Sequence, residues 1–248
     1  MQVNSHVEIM KADIYKNYTT TSVLSGVNEK KFTEWSHRYF MNFIEPHLLP
    51  NKQGKILEIG CGYGRYTKLI TETLGYANTV GMDISEEQIE FAKKNYGLTN
   101  VVKADALEYM NSKPEKYDSI ILMDVLEHLE LDYAIALLTR IYESLEDNGR
   151  LIIQVPNGLS PLKPIFYGDV THVRAFSVNS MSQILRMAGF SKFKHAALAP
   201  LVHNFKSLIH RILWKTLIHP AVFIFVTLSH GNPAGGIYSS NLLTVAYR

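Results

Sequence analysis

Short β-rich segments alternate with helical patterns through the middle of the chain, and this alternation constrains the fold more than any other feature of the sequence. Residues 120–123 and 151–153 are continuous apolar runs, as expected of strands in a parallel sheet that helices cover on both faces. The pattern predicts an α/β fold with a doubly wound, mostly parallel sheet. The predicted strands are residues 55–59, 79–82, 101–104, 117–123 and 150–155, with two more at 190–198 and 237–246.

Helical additions flank this core. Apolar residues at helical spacing predict one helix over residues 29–49 and another over residues 177–188. The predicted organisation is an N-terminal helical cap at 1–50, a core at 51–199, a helical insertion at 200–236 and the last strand of the core sheet at 237–248.

Composition narrows the class of protein. With 248 residues, 46% hydrophobic and 19% charged, the chain can bury a sizeable core, which argues against a disordered protein. The single cysteine, Cys61, excludes an intramolecular disulfide and a zinc site built from several thiolates. Residues 1–30 contain no apolar run of the kind a signal peptide needs. We therefore expect a cytoplasmic protein.

A glycine-rich turn follows the first predicted strand and opens a helix. The glycines are Gly60, Gly62 and Gly64, whereas a dinucleotide fingerprint would require a glycine at the position of Arg65. A carboxylate at Glu58, just before the turn, is better placed beside a cation than beside a pyrophosphate. The turn therefore favours a positively charged ligand over a nicotinamide dinucleotide.

Acidic residues recur where the following strands end. Asp83, Asp105 and Asp124 come at the carboxyl ends of the second, third and fourth predicted strands, which is where ligands of open α/β sheets bind. Any one of these acids is also a common helix N-cap. Asp83 is placed to accept both hydroxyls of a ribose.

With this glycine turn and these acids, the chain resembles the class I S-adenosylmethionine-dependent methyltransferases over residues 50–198 and the last strand. The resemblance implies a Rossmann-like sheet of seven strands, with an antiparallel last strand between the fifth and the sixth. It implies S-adenosyl-L-methionine as the cofactor, with a ribose site at Asp83 and an adenine site at Asp105. The implied cofactor-binding residues are Glu58, Gly60, Gly62, Gly64, Asp83, Ile84, Asp105, Ala106, Asp124 and His128.

Methyl transfer to a hydroxyl benefits from a group that takes the proton. His172 lies in the polar loop 167–177 after the fifth strand, where acceptor-side residues belong in this architecture, and it is our candidate general base. We call residues 167–177 the acceptor loop. His128 is the alternative, although a role in the cofactor pocket or in the structure fits it better. Asp169 and Arg174 are candidates for binding the acceptor or bracing the loop. Histidines and carboxylates show no metal-ligand spacing along the sequence, so we expect no metal.

The segment 172–190 resembles a subgroup of these methyltransferases encoded among bacterial surface-polysaccharide and lipopolysaccharide enzymes. This implies a sugar hydroxyl as acceptor, on a glycan or on its lipid- or nucleotide-linked precursor. A quinone-like or other small-molecule acceptor is the alternative, because the same loop pattern occurs in methyltransferases of that kind. A cofactor-binding protein without catalysis is a further possibility.

The insertion is cationic and apolar. Residues 201–217 predict an amphipathic helix, and a second apolar piece at 221–228, after Pro220, is much shorter than the ~20 residues that span a bilayer. Three roles compete: a lid or homodimer contact, peripheral contact with the inner face of a membrane, and binding of an anionic polymer. Nucleic acid is the least favoured partner.

Charge is divided unequally between the two parts of the chain. Residues 1–169 hold 17 basic and 23 acidic side chains, whereas residues 170–248 hold 8 basic and none that are acidic. We therefore expect the acceptor, or the surface that the second part meets, to be anionic.

Overall fold

The structure, a computed structural model, describes residues 29–248. The first 28 residues of the predicted N-terminal cap lie outside the described residues. The strands are β1 Ile56–Ile59, β2 Thr79–Asp83, β3 Val101–Lys103, β4 Tyr117–Met123, β5 Leu145–Pro156, β6 Lys192–Ala197 and β7 Asn241–Tyr247. The helices are α1 Glu29–Phe43, α2 Arg65–Lys68, α3 Glu86–Tyr96, α4 Ala106–Ser112, α5 Leu131–Ser144, α6 Pro164–Tyr167, α7 Val178–Met187 and α8 Phe205–His230.

The seven strands form one sheet in the order β3-β2-β1-β4-β5-β7-β6. β1 pairs in parallel with β2, and β2 with β3. β7 lies between β5 and β6 and is antiparallel to both. The predicted fold class, including the antiparallel strand between the fifth and the sixth, is therefore confirmed.

The described chain divides into two compact units. The first contains residues 29–121 and Ser144–Gly149, and the second contains Leu122–Glu143 and Arg150–Arg248. The core of the first unit includes Leu57, Ile70 and Ile89, and that of the second includes Leu138, Ile152, Phe176 and Leu243. The predicted boundaries at residues 50, 199 and 236 stay a prediction.

Polar caps set where several helices begin. Ser85, Asp105, Ser177 and Asn204 each accept a backbone N–H from the first turn of the helix that follows, which satisfies donors that a helix start leaves unpaired. The Ser177 cap confirms the predicted start of α7. The first helix is shorter than predicted, because α1 ends at Phe43 and a separate 3₁₀ turn, Glu45–His47, follows it.

The insertion differs most from its prediction. Asn204 caps the helix, so residues 201–203 lie outside it, and the chain then stays helical to His230. Pro220 does not break the helix, because a π-helical segment, Trp214–Ile218, precedes it. There the His219 N–H reaches the Trp214 carbonyl five residues back, and such a widened turn relieves the ladder that proline would disrupt.

The separation of the insertion into two short apolar pieces is therefore wrong. The helix has 26 residues and is long and apolar enough to cross a membrane by length and composition.

Candidate active site

The glycine turn joins β1 to α2 with backbone conformations that favour glycine. Gly60, Gly62 and Gly64 have φ values of 73°, 56° and 78°, in the left-handed region that side chains disfavour. A Cβ on Gly64 would lie 2.5 Å from the Leu98 side chain. The Gly62 N–H donates to Asp83 over 2.8 Å. The turn is thus packed against neighbouring structure and hydrogen-bonded to the end of β2.

Two backbone donors hold the Asp83 carboxylate in place. One oxygen accepts the N–H of Gly62 and the other that of Ser85, each over 2.8 Å. Burial raises the pKa of Asp83, and these N–H donors oppose the rise. A carboxylate fixed in this way, at the carboxyl end of a strand, has lone pairs left to accept the hydroxyls of a ribose.

Glu58 lies beneath the turn and is 1% exposed. The Thr67 hydroxyl donates a hydrogen bond to its carboxylate. Burial raises the pKa of Glu58 to about 8, against the opposing effects of the Thr67 hydrogen bond and the positive charge of Arg65. Its contact with the cofactor stays a prediction.

The predicted adenine site lies at the start of α4. Asp105 accepts the Glu108 N–H over 3.0 Å as the N-cap, and Ala106 is the first residue of the helix. Asp105 is therefore a helix N-cap, which is the alternative role that the sequence allowed. Its contact with adenine stays a prediction. Ile84, which follows β2, is 52% exposed, so its side chain offers apolar surface at the end of that strand.

In the second unit, Asp124 has a φ of 55°, unusual for a residue with a side chain. The Gln154 side-chain amide donates to both of its carboxylate oxygens, over 3.1 and 2.9 Å. The Asp124 N–H donates to the Gln154 carbonyl over 3.0 Å. These three bonds orient Asp124. The sequence prediction missed Gln154, although a polar residue inside an apolar strand is a signal of such a role.

His128 and His172 lie side by side, with ring centroids 4.6 Å apart. The Nδ1 of His172 is 2.8 Å from the Phe166 carbonyl oxygen, and the Nδ1 of His128 is 2.8 Å from the Thr171 hydroxyl. Burial, followed by the charge of His172, lowers the pKa of His128 to about 4. The acceptor loop thus brings together two histidines that lie 44 positions apart in the sequence.

Glu127 completes this group and was not predicted. Its side chain is fully buried, and His172 Nε2 lies 3.8 Å from its Oε1. Its carbonyl oxygen accepts the N–H groups of Val173 and Arg174, which fixes the acceptor loop. Burial, reinforced by the charge of Asp124, raises the pKa of Glu127 well above its usual range. The signal in the sequence is an acid next to His128, in the pair that lies between the apolar residues Leu126 and Leu129.

The predicted site residues fall in both units. Glu58, the glycines, Asp83, Ile84, Asp105 and Ala106 belong to the first, and Asp124, His128 and His172 belong to the second. Within the first unit the structure connects Asp83 to the glycine turn. Within the second it joins His128 and His172 through the acceptor loop.

Comparison with known proteins identifies a matching family and similar sequences. A methyltransferase domain family model matches residues 29–195. The chain is 29% identical to the trans-aconitate 2-methyltransferase of Rhizobium rhizogenes over 138 residues, which are 51% of this chain and 52% of that protein. It is 36% identical to the mitochondrial ubiquinone biosynthesis O-methyltransferase of Schizosaccharomyces pombe over 107 residues, which are 40% of this chain and 36% of that protein.

Among solved structures, an S-adenosylmethionine-dependent methyltransferase from Archaeoglobus fulgidus aligns with a TM-score of 0.64 and 25% identity, over 89% of this chain and 97% of that one. The chain spans about half or less of the two curated relatives described above. The family match covers more than half of the chain, and the predictions of the family, the fold and the cofactor are confirmed at this level. The chain therefore belongs to the methyltransferase domain family, as a class I S-adenosylmethionine-dependent methyltransferase.

Proposed function

We propose that the protein transfers the methyl group of S-adenosylmethionine to a hydroxyl oxygen of an anionic acceptor. The acceptor oxygen forms a bond to the methyl carbon as the carbon–sulfur bond breaks. The electron pair of that bond stays on sulfur, which leaves S-adenosylhomocysteine, and the hydroxyl proton leaves the acceptor. Because the sulfonium is already activated, the main task of the protein is to hold the oxygen and the methyl group in line.

The first unit supplies what the cofactor requires. The glycine turn carries no side chains at Gly60 and Gly62, and two backbone N–H groups hold Asp83 at the end of β2. The adenine and ribose of the cofactor would contact Ile84, Asp105 and Asp83. The arrangement fits a nucleoside that carries a cationic, not a phosphorylated, substituent.

On the acceptor side, His172 is in the tautomer that a general base needs. The Phe166 carbonyl only accepts hydrogen bonds, so the Nδ1 of His172, 2.8 Å away, carries the hydrogen and donates it. Its Nε2 then holds a lone pair able to take the acceptor's proton. We therefore expect His172→Ala to lower turnover and to preserve cofactor affinity.

The distribution of charged residues along the chain supports the proposal of an anionic acceptor. From residue 170 onward the acceptor loop lies in a part of the chain that has 8 basic and no acidic side chains, although Asp169 at its start and the buried Glu127 beside His172 are acidic. A field of one sign attracts a substrate of the opposite sign. A sugar hydroxyl on a glycan precursor linked to a lipid phosphate or a nucleotide would satisfy this requirement.

A small anionic or quinone-like metabolite is the second candidate. Two curated relatives favour it, because their names refer to trans-aconitate and to ubiquinone biosynthesis. Both candidates require the same cofactor site and differ in the size and charge of the acceptor.

Calorimetry with S-adenosylmethionine and S-adenosylhomocysteine tests the cofactor site, with Asp83→Ala expected to lose binding. Transfer of a labelled methyl group to lipid-linked, nucleotide-linked and small-metabolite fractions then tests the acceptor class. Labelling of neutral acceptors alone would contradict the anionic proposal. Cofactor binding without transfer to any fraction would indicate a binding protein instead of an enzyme.

A further inference from the structure

We propose that Glu127, His128 and His172 form a binding site for a first-row divalent metal ion. One ligand atom from each of the three residues lies within 4.8 Å of the others. The binding of the ion does not depend on the proposed reaction. The role of the ion in the reaction, described below, rests on the proposed function.

The hydrogen bonds of both histidines involve Nδ1, so the Nε2 atom of each ring is available to bind a metal ion. His172 donates from Nδ1 to the Phe166 carbonyl. The Thr171 hydroxyl donates its only hydrogen to Asp169, so it must accept from the Nδ1 of His128. Both rings therefore carry their hydrogen on Nδ1 and a lone pair on Nε2. Histidines that bind metals are usually fixed in this way, by a carbonyl or a polar group on the other nitrogen.

The third ligand is a carboxylate that lacks hydrogen bonds. Among the residues that the structure describes, neither oxygen of Glu127 has a hydrogen-bond partner, although the side chain is fully buried. An isolated buried carboxylate is strongly disfavoured unless a positive charge accompanies it. A divalent ion between Glu127 and the two imidazoles supplies that charge.

Distance and ligand type agree with such an ion. Two ligands at about 2.1 Å from one metal are at most about 4.2 Å apart, and the Nε2 of His172 is already 3.8 Å from the Oε1 of Glu127. One ring nitrogen of each histidine and one oxygen of Glu127 lie within 4.8 Å of one another, so a shift of less than an ångström would bring three such atoms within reach of one ion. Two imidazoles with one carboxylate suit manganese, iron, cobalt and zinc, and leave coordination positions open.

A metal at this position would bind the acceptor hydroxyl and lower its pKa, so that the oxygen attacks the methyl group with less need for a separate base. His172 would then act as a metal ligand. This alternative to proton transfer by His172 makes turnover dependent on added metal.

The test uses full-length protein without a polyhistidine tag, stripped with a chelator, and Co²⁺ or Mn²⁺ as the probe. We expect one equivalent of Co²⁺ to bind, with visible absorption bands of a coordinated ion. Glu127→Gln and His172→Ala should weaken binding at least about tenfold, while the exposed His210→Ala serves as the matched control. S-adenosylhomocysteine binding confirms that each variant is folded and tests the cofactor site separately. The site would be overturned if the protein binds none of Co²⁺, Mn²⁺ and Zn²⁺, or if Glu127→Gln and His172→Ala bind the metal as tightly as the wild type does.

A separate feature supports a second proposal: we infer that α8 lies on an anionic lipid surface. None of the most apolar part of this helix is buried. Phe205, Leu217, Phe225 and Leu228 are 60–81% exposed. Residues 216–229 contain no Asp, Glu, Lys or Arg, whereas Lys206, Arg211 and Lys215 lie in the first half. Apolar side chains and cations on one helix suit the boundary between acyl chains and anionic headgroups.

The connections of the helix argue against a membrane span. β6 ends at Ala197, which pairs with Leu242 of β7, so the insertion leaves and rejoins the sheet at one place. The chain therefore has to return through residues 231–240, which are not helical. There Gly236 is tied to the middle of the helix, since its carbonyl oxygen is 3.1 Å from Nε2 of His219. Irregular backbone of this kind does not cross the hydrocarbon of a bilayer.

Charge also favours a lipid surface over a second copy of the chain. A symmetric dimer with the two α8 helices parallel would bring like charges at Lys206, Arg211 and Lys215 together. Anionic headgroups would instead neutralise these side chains.

Flotation with vesicles of phosphatidylglycerol and phosphatidylcholine tests this inference. We expect binding to the anionic vesicles that weakens with salt and is lost in Phe225→Ser/Leu228→Ser. The matched control is Leu162→Ser, because Leu162 is 94% exposed but lies outside α8. Equal binding to pure phosphatidylcholine, no binding, or a dimer that the double substitution converts to monomers would contradict the proposal.

Discussion

Replacing Glu58 with glutamine should stabilise the protein near neutral pH. The folded-state pKa of Glu58 is about 8, against an ordinary value of 4.5. Between these values the folded protein keeps a proton that the unfolded chain has lost. The stabilising contribution of this group is therefore fully present below pH 4.5 and is lost as the pH rises through 8.

The size of the effect follows from the two pKa values. Each unit of difference corresponds to about 1.4 kcal/mol, so the full contribution is about 5 kcal/mol, and about 3 kcal/mol of it is lost by pH 7. Glutamine has nearly the same shape, does not ionise, and can still accept the hydrogen bond from Thr67. The Glu58→Gln variant should match the wild type near pH 4.5 and exceed its free energy of unfolding by about 3 kcal/mol at pH 7.

Urea unfolding of both proteins from pH 4.5 to about 9 measures this difference. The pH dependence of the difference in free energy of unfolding reports on Glu58 alone, because the other titrating groups are common to both proteins. Glu108→Gln, which removes an exposed carboxylate in the same unit, is the matched control. A difference between wild type and Glu58→Gln that stays constant over this range would refute the reasoning.

Three further predictions concern the turn, the cofactor charge and Asp124. Gly64→Ala should lower the free energy of unfolding by about 2 kcal/mol in urea, because the residue has a φ of 78° and a Cβ would contact Leu98. If Glu58 lies near the sulfonium, calorimetry in buffers of different ionisation enthalpy should show that S-adenosylmethionine releases more protons on binding than neutral S-adenosylhomocysteine. Equal release would contradict that placement. Gln154→Leu should destabilise the second unit by about 1–2 kcal/mol in thermal unfolding, because Asp124 loses both amide bonds, and an unchanged midpoint would count against this role.

The sheet could be predicted because its signal is local. Apolar runs such as residues 151–153 have the composition that burial on both faces requires. Glycines at 60, 62 and 64 mark a turn that residues with side chains adopt only with strain. The antiparallel β7 came from the family resemblance, since periodicity alone does not specify the direction of a strand.

What escaped prediction depends on contacts between distant parts of the chain. Glu127 and His172 lie 45 positions apart, and the acceptor loop brings them together through backbone bonds to the Glu127 carbonyl. Because these residues are far apart in the sequence, spacing alone did not indicate that Glu127, His128 and His172 lie close together, and the expectation of no metal stays untested. The sequence analysis divided the insertion at Pro220, because sequence patterns do not reveal that a π-helical turn would precede this proline.

The two buried glutamates differ in what surrounds them, and that difference separates their roles. Glu58 has the Thr67 hydroxyl as a hydrogen-bond donor and the positive charge of Arg65 nearby. Glu127 has no hydrogen-bond donor to its oxygens among the described residues, and Asp124 and Asp169 make its surroundings more negative. Protonation is enough to stabilise the buried Glu58 side chain, because the protonated carboxyl can still accept the hydrogen bond from the Thr67 hydroxyl. A protonated Glu127 would have the Nε2 of His172 as its nearest acceptor, 3.8 Å away, whereas the proposed metal ion would be bound by Glu127 and both imidazoles, so the Co²⁺ binding experiment separates the two cases.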